Sequence, residues 1–216
     1  MTRDRVIDEA LQLADQEGFQ ALSMPALARR LHCGTMTLYG YVQDKDDLLD
    51  SVVQRGLEGI RLRRPLPSST SGILMAWGRA LRSKLHEHPA LAGLLLSRAV
   101  IGPGILFGVE ALLAALRKTH MDPAEGVPAV YAVLIYTTGF VAWETPRTLR
   151  QPPLAYAAAW RRLFEVVPTG SAPIAQSVAS VLIRVAGESQ FEAGLTALAS
   201  GLESHISRGH RIRPGR

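Results

Sequence analysis

Apolar residues recur along this chain at intervals of three and four almost from end to end, the period of helix faces turned toward a core. Val6, Ile7, Ala10, Leu11, Leu13 and Ala14 make the first stripe and predict a helix over about Arg3–Glu17. Gly18 stands where a left-handed C-cap belongs, and Phe19 is placed to fold back on that helix end. Ser23 is an N-cap, and Pro25 falls in a first turn, where its missing N–H costs nothing; a second helix follows over Met24–Leu31. A short third helix over Thr35–Tyr41 and a fourth over Asp44–Ile60 complete the N-terminal set. Pro65, Pro67 and the run Ser68–Ser71 then break the pattern, placing a domain boundary at about residue 64. Beyond it the stripes predict helices over Gly72–Glu87, Pro89–Ala99, Gly104–His120, Pro123–Glu144, Leu154–Val167, Ile174–Ala186 and Gln190–Ser207. Proline or glycine marks most of the junctions, and there is no β-alternation or internal repeat. The fold class is all-α, with one domain over residues 1–64, a larger one over 65–208 and a basic disordered tail over 209–216.

Composition narrows the setting. No apolar run approaches the roughly 18 uninterrupted residues of a membrane span, and Arg3, Asp4, Arg5 and Asp8 leave no apolar core for a signal peptide. A single cysteine, Cys33, excludes an internal disulfide and reads as a small buried hydrophobe. These features predict a soluble cytoplasmic protein. Net charge is +5, which invites nucleic acid as a partner, but residues 1–50 carry 5 basic against 9 acidic side chains, 5 − 9 = −4. The positive excess lies later, at Arg61–Arg64 and Arg208–Arg216. Any nucleic-acid contact in the first domain therefore rests on a few placed groups.

Two short helices joined by a turn of about three residues, over Ser23–Val42, make a helix-turn-helix of the kind whose second helix enters a major groove. Leu27, Ala28, Leu31, Cys33, Leu38 and Val42 form its inner face. Thr35, Met36, Thr37, Gly40 and Tyr41 point outward, with Tyr39 at the edge. The pairs Leu27–Ala28, Leu38–Tyr39 and Leu48–Leu49, with Leu31, an aromatic at Tyr41 and Lys45, resemble the DNA-binding domain of the TetR family of transcriptional regulators. Gly18 and the capping Ser23 fit it as well. More loosely, Thr138–Glu144 and Phe191–Glu203 resemble the tetracycline-repressor-like C-terminal domain.

The resemblance implies an N-terminal three-helix DNA-binding domain and a larger helical domain that binds a small effector and forms a homodimer. It implies backbone contacts from Tyr39 and Lys45, recognition-helix positions at Thr35, Met36, Thr37 and Tyr41, and a DNA-binding set completed by Ser23 and Gly40. Three departures stand out: His32 replaces a turn glycine, Gly34 a serine-like N-cap, and Gly40 a larger side chain. The recognition helix has no Arg, Lys, Asn or Gln, so bidentate reading of guanine or adenine is unavailable to it. Readout by threonine hydroxyls, by methyl contacts from Met36 or Thr37, and by DNA shape is expected instead. Arg3 and Arg5 are candidate arms to the duplex, while Arg29 and Arg30 read as a solvated face.

In the second domain Trp77, Phe107, Tyr131, Tyr136, Phe140, Trp143 and Trp160 are individually ordinary core residues and together a candidate apolar effector pocket. Arg98, Thr137 and His120 are its candidate polar groups. Gly194, Leu195, Leu198, Gly201, Leu202 and Ile206 mark one face of the last helix as a dimer surface, with residues 123–144 supplying the rest; a helix buried within one subunit would show the same pattern. His86, His88 and His120 do not have metal-ligand spacing, and no nucleophile or paired-carboxylate constellation suggests an enzyme or a cofactor. The reading is a repressor released from a near-palindromic operator by a small apolar or aromatic effector. The alternative is a helical carrier of hydrophobic molecules that does not bind DNA.

Overall fold

A computed structural model describes residues 1–148, 153–168, 170–182 and 187–212, all helix, turn or irregular chain, with no strand among the described residues. The N-terminal helices are α1 (Arg3–Glu17), α2 (Met24–Arg30), α3 (Thr35–Leu38) and α4 (Lys45–Leu57), with a 3₁₀ turn at Phe19–Ala21. The second set is α5 (Thr70–Glu87), α6 (Ala90–Ser97), α7 (Pro103–Arg117), α8 (Pro123–Thr148), α9 (Pro153–Val166), α10 (Pro173–Ser177), α11 (Ala179–Leu182) and α12 (Glu188–Ile212).

The capping chemistry sets these limits. Thr2 Oγ1 accepts from the Arg5 N–H at the start of α1, and Ser23 Oγ from the Ala26 N–H at the start of α2, each satisfying a donor the helix leaves free. Gly18 ends α1 at φ 90°, ψ 149°, a region practically closed to other residues. The end of α2 explains His32. The Cys33 N–H donates to the Ala28 carbonyl at 3.0 Å and the His32 N–H to Arg29 at 3.2 Å, with His32 at φ 53°. That is a Schellman termination, and histidine takes the left-handed place that glycine usually fills.

Two apolar cores result. The first gathers Val6, Leu27, Leu38, Val42, Leu48 and Val52 from the N-terminal helices, and it does not stop at the domain boundary. Leu81 and Leu85 of α5, Leu91 and Leu94 of α6, and Val141 of α8 belong to the same cluster. The second lies among α5, α7, α8 and α12, around Ile73, Leu116, Val133, Phe191 and Leu195. Helix α8 over Pro123–Thr145 is long and apolar enough to cross a membrane by length and composition alone, with mean hydropathy 1.4. Here it is a core helix: it packs on α5, α6, α7 and α12 and buries Thr137, Thr138 and Glu144.

Three expectations are corrected. The segment Ile174–Ala186 is not one helix: α10 and α11 are separated at Val178, and residues 183–186 lie outside the described chain. Ile174 is 82% and Val181 56% exposed, so burial does little to hold pieces too short to sustain themselves. The last helix continues to Ile212, into the stretch expected to be a disordered tail; residues 213–216 are outside the described chain. Finally, of the α12 face expected to form the dimer, all but the exposed Gly201 packs within the subunit. Leu195 is fully buried, Leu198, Leu202 and Ile206 pack on the second core, and a Cβ on Gly194 would lie 2.2 Å from the Tyr136 hydroxyl.

The two domains meet where Gly56 of α4 faces Leu91 of α6. A Cβ there would come within 2.6 Å of Leu91 Cδ1 and 3.1 Å of its Cγ, and Leu91 is fully buried. Alanine is favoured over glycine in a helix by about 1 kcal/mol, whereas overpacking a tight contact costs about 1–3 kcal/mol. Gly56→Ala should therefore be net destabilising, read as a lower midpoint in urea or guanidinium unfolding; an unchanged or higher midpoint would show that α6 yields freely.

Candidate nucleic-acid interface and effector domain

The helix expected to enter the groove, α3, is a single turn. Gly34 is its N-cap without a side-chain hydrogen bond, Leu38 is fully buried, and Tyr39 closes it. Its outer side carries Met36, 80% exposed, exposed Thr37 and half-buried Thr35. Tyr39 stands exposed as expected, but Tyr41 does not point outward. Tyr39 is 45% exposed, while Tyr41 lies past the helix end and packs against the first core. Gly40 is likewise in the turn and not mid-helix, exposed, with its N–H on the Thr37 carbonyl at 3.3 Å. The helix ends at Leu38, ahead of Gly40, a poor helix former, and the buried Val42 then leads directly into the cap of α4.

At that cap Asp44 accepts from the Asp47 N–H at 2.8 Å, and the Asp47 carboxylate accepts from the Gln43 N–H at 2.9 Å. The α4 N-terminus is thus capped by the chain itself, and Asp46 and Asp47 follow Lys45 in its first turn. Lys45 is exposed and without an ion-pair partner among the described residues, so what it offers an incoming phosphate is its ammonium and not a free helix end. A cleft of about 260 Å³ opens beside it, bordered by Arg3, Tyr39, Gly40, Gln43 and Asp47. Gln43 was not singled out from sequence; the available signal was an exposed amide between buried Val42 and the capping Asp44.

The arginines divide unlike the expectation. Arg3 donates to the Tyr41 carbonyl, Asp47 and Ser51 Oγ at 2.8–3.2 Å, tying α1 to α4 instead of serving as a loose arm. Arg30 is a strut and not a solvated group: it reaches Glu9, Gln12 and Gln16 of α1. Arg5 and Arg29 are exposed. Ser23 is bound up in capping α2.

The junction with the second domain is polar at both ends of α6. Asp15 of α1 accepts from the Ala90 N–H at 3.2 Å and contacts His88 Nδ1 at 2.8 Å. Beyond the other end, Arg98 meets Asp46 at 3.0 Å and Asp50 at 2.9 Å. Arg98, expected as a pocket group, instead joins α6 to α4.

Of the seven aromatic residues proposed for a pocket, three converge. Tyr136 and Phe140 have ring centroids 6.0 Å apart, Phe140 and Trp143 6.2 Å. Phe191 of α12 closes the group at 5.3 Å from Phe140, and the Tyr136 hydroxyl donates to its carbonyl. Trp77 packs between the two cores. Phe107 is 70% exposed on α7 and Tyr131 51% exposed on α8, so neither joins the group; Trp160 stacks on Phe164 within α9. Arg82 lies 4.7 Å from the Phe191 ring centroid and forms a buried pair with Glu144 at 2.7 Å, with His86 3.2 Å from the same carboxylate. Removing one partner of such a pair costs about 3–5 kcal/mol, so the pair fixes α5 against α8. Burial raises the Tyr136 pKa. Thr137 Oγ1 and Thr138 Oγ1 are buried without a hydrogen-bond partner among the described residues. His120, at φ 65°, ends the turn after α7.

A helix-turn-helix held against a larger helical domain is the architecture of a DNA-binding transcriptional regulator. The comparisons give its kinship. Residues 6–52 match the family described as bacterial regulatory proteins, tetR family, and residues 69–206 the tetracyclin repressor-like C-terminal domain. The HTH-type transcriptional repressor DrrR1 of Streptomyces coeruleorubidus is 30% identical over 96% of this chain and 79% of its own. The TetR family protein ActR of Streptomyces coelicolor superposes with TM-score 0.81 at 26% identity in its complex with actinorhodin, covering 95% of this chain and 98% of its own. In complex with (S)-DNPA it gives 0.80. The chain belongs to the TetR family of DNA-binding transcriptional regulators.

One pairing sets an acid limb. Glu192 of α12 accepts three hydrogen bonds of 2.7–3.0 Å from Arg79 of α5, and these hold its carboxyl below the usual glutamate range. A depressed folded pKa contributes stability above the unfolded value, about 4.3, that is lost as pH falls through the folded one. Glu192→Gln should flatten the loss of stability on acidification below about pH 4.3, followed by thermal unfolding across pH; an acid limb as steep as wild type would deny the pair that role.

Proposed function

We propose that two copies of this chain form a cytoplasmic homodimer that occupies a near-palindromic operator and leaves it when a small apolar or aromatic molecule binds the second domain. The observation that carries this is the outer side of α3. Met36, Thr37 and Tyr39 stand exposed on a turn whose inner side is buried and capped, with the unpaired ammonium of Lys45 alongside. Met36 and Thr37 suit thymine methyl groups and Thr35 a hydroxyl contact; Tyr39, Lys45 and Gln43 suit backbone phosphates.

The dimer surface is the outer side of α8 with that of α12. Val127, Tyr131 and Ile135 are spaced by four and exposed at 38%, 51% and 63%; Trp143 lies further along, and Gly201 of α12 faces open space. Pairing through residues 123–144 and 190–207 sets the two α3 turns about one helical repeat apart, about 34–36 Å. The effector's place is beside Trp77, Tyr136, Phe140 and Trp143, where the unpartnered Thr137 and Thr138 hydroxyls and Arg82 supply polarity. That ActR is solved with actinorhodin and with (S)-DNPA supports an aromatic effector here. The ligand acts through its preference for one of two dimer geometries, and the α6 junction conveys the change.

Selection of bound duplexes from a random library tests the DNA reading. Lys45→Ala should weaken binding to all sequences about equally and reduce the salt slope by about 1 per half-site, while Thr37→Ala should change the preferred sequence; identical preferences before and after would remove Thr37 from the reading surface. Ile135→Glu should shift sedimentation from dimer to monomer and abolish operator binding. A wild-type protein that sediments as a monomer at working concentration would defeat the dimer.

A further inference from the structure

The linker between α4 and α5 borders a cleft that none of the roles above uses. From Gly59 to Ser69 the chain has no regular structure, and it is anchored by Leu62 and Leu66, which pack into the second core. In extended chain, residues two apart project to the same side. Arg61 and Arg63, flanking Leu62, accordingly both line the cleft, opposite an α5 stripe of Ala76, Ala80 and Ser83. Its volume is about 600 Å³, within the range of small-molecule sites.

The charge is one-sided. Arg61, Arg63, Arg79 and Lys84 line the cleft against Glu87 alone. Arg79 is engaged by Glu192 and Lys84 by Glu87, which leaves Arg61 and Arg63 exposed and without partners among the described residues. The remaining wall, from Ile60, Pro65 and Pro67, is apolar. Operator phosphate is a poor candidate for this place: the cleft follows the C-terminal end of α4, whereas α3 abuts its N-terminal end, about 20 Å away along the 13-residue helix.

We propose that this cleft is a second ligand site, selective for a small apolar molecule bearing a carboxylate or phosphate, whose anion is held by Arg61 and Arg63 and whose apolar body lies on Ala76 and Ala80. Guanidinium forks match both anions, and a bound anion ties the linker to α5, which fixes the direction in which α4 leaves the second domain. The site is distinct from the aromatic group on α8 and does not depend on DNA binding.

Calorimetric titration of the full chain, without DNA, tests it with four octyl probes: octanoate, octyl phosphate, octanol and octylammonium. At least one anion should bind about tenfold or more tighter than octanol and octylammonium, a difference equivalent to about 1.4 kcal/mol, and the better anion identifies the headgroup. The R61Q/R63Q double variant should lose that preference while keeping the wild-type unfolding midpoint, since both side chains are exposed. Phe140→Ala should leave anion binding unchanged. No heat with either anion, equal binding of octanol, full affinity in R61Q/R63Q, or loss of anion binding in Phe140→Ala would each overturn the site.

Discussion

Helix α6 belongs to the second domain by sequence but packs on both, lying against α8 of its own domain and against α1 and α4 of the first. Leu91 and Leu94 are buried among the DNA-binding helices, and Leu91 fills the space that a side chain at position 56 would need. Burying one leucine contributes about 1.5–3 kcal/mol, more than the partly exposed ion pairs at the helix ends, which are worth about 0–1 kcal/mol each. The apolar contact therefore holds the domains together. The polar groups do something else: Asp15 at one end and Arg98 at the other fix where along α1 and α4 the helix sits.

The acidic balance of the first 50 residues, odd for a protein that approaches DNA, has a structural origin. Asp4 and Asp8 pair with Arg55, Glu9 with Arg30, Asp47 with Arg3, Asp15 with His88, and Asp46 and Asp50 with Arg98. Asp44 caps α4. Most of these carboxylates thus serve as fasteners, and three of their partners, Arg55, His88 and Arg98, come from beyond residue 50. Counting charge by segment concealed this, since the neutralising groups are distant in sequence and adjacent in space.

Much of the fold was legible because helix limits are written locally. Ser23, Pro25 and Gly18 placed α1 and α2, and the tolerance of histidine for a left-handed backbone anticipated the turn at His32. Side-chain orientation was harder. The early end of α3 placed Tyr41 past the helix, against the first core, instead of on its outer side. The small-and-large pattern on α12 fitted a dimer face or a helix buried in one subunit; its large residues point inward while Gly201 faces open space, since periodicity identifies an apolar face without saying which surface covers it. The aromatic residues of the second domain were found as types; Tyr136, Phe140 and Trp143 share one face of α8 at spacings of four and three, a pattern present in the sequence, whereas the approach of Phe191 from α12 depends on a helix crossing that no local pattern encodes.

The residues proposed to read the operator stand apart from those that hold the fold. Met36 is 80% exposed and Thr37 is exposed, while the turn that bears them is held by Leu38, Val42 and the Schellman end of α2. Outward and inward side chains of a single helical turn thus carry separate duties, and a substitution at Met36 or Thr37 removes no contact from the core beneath.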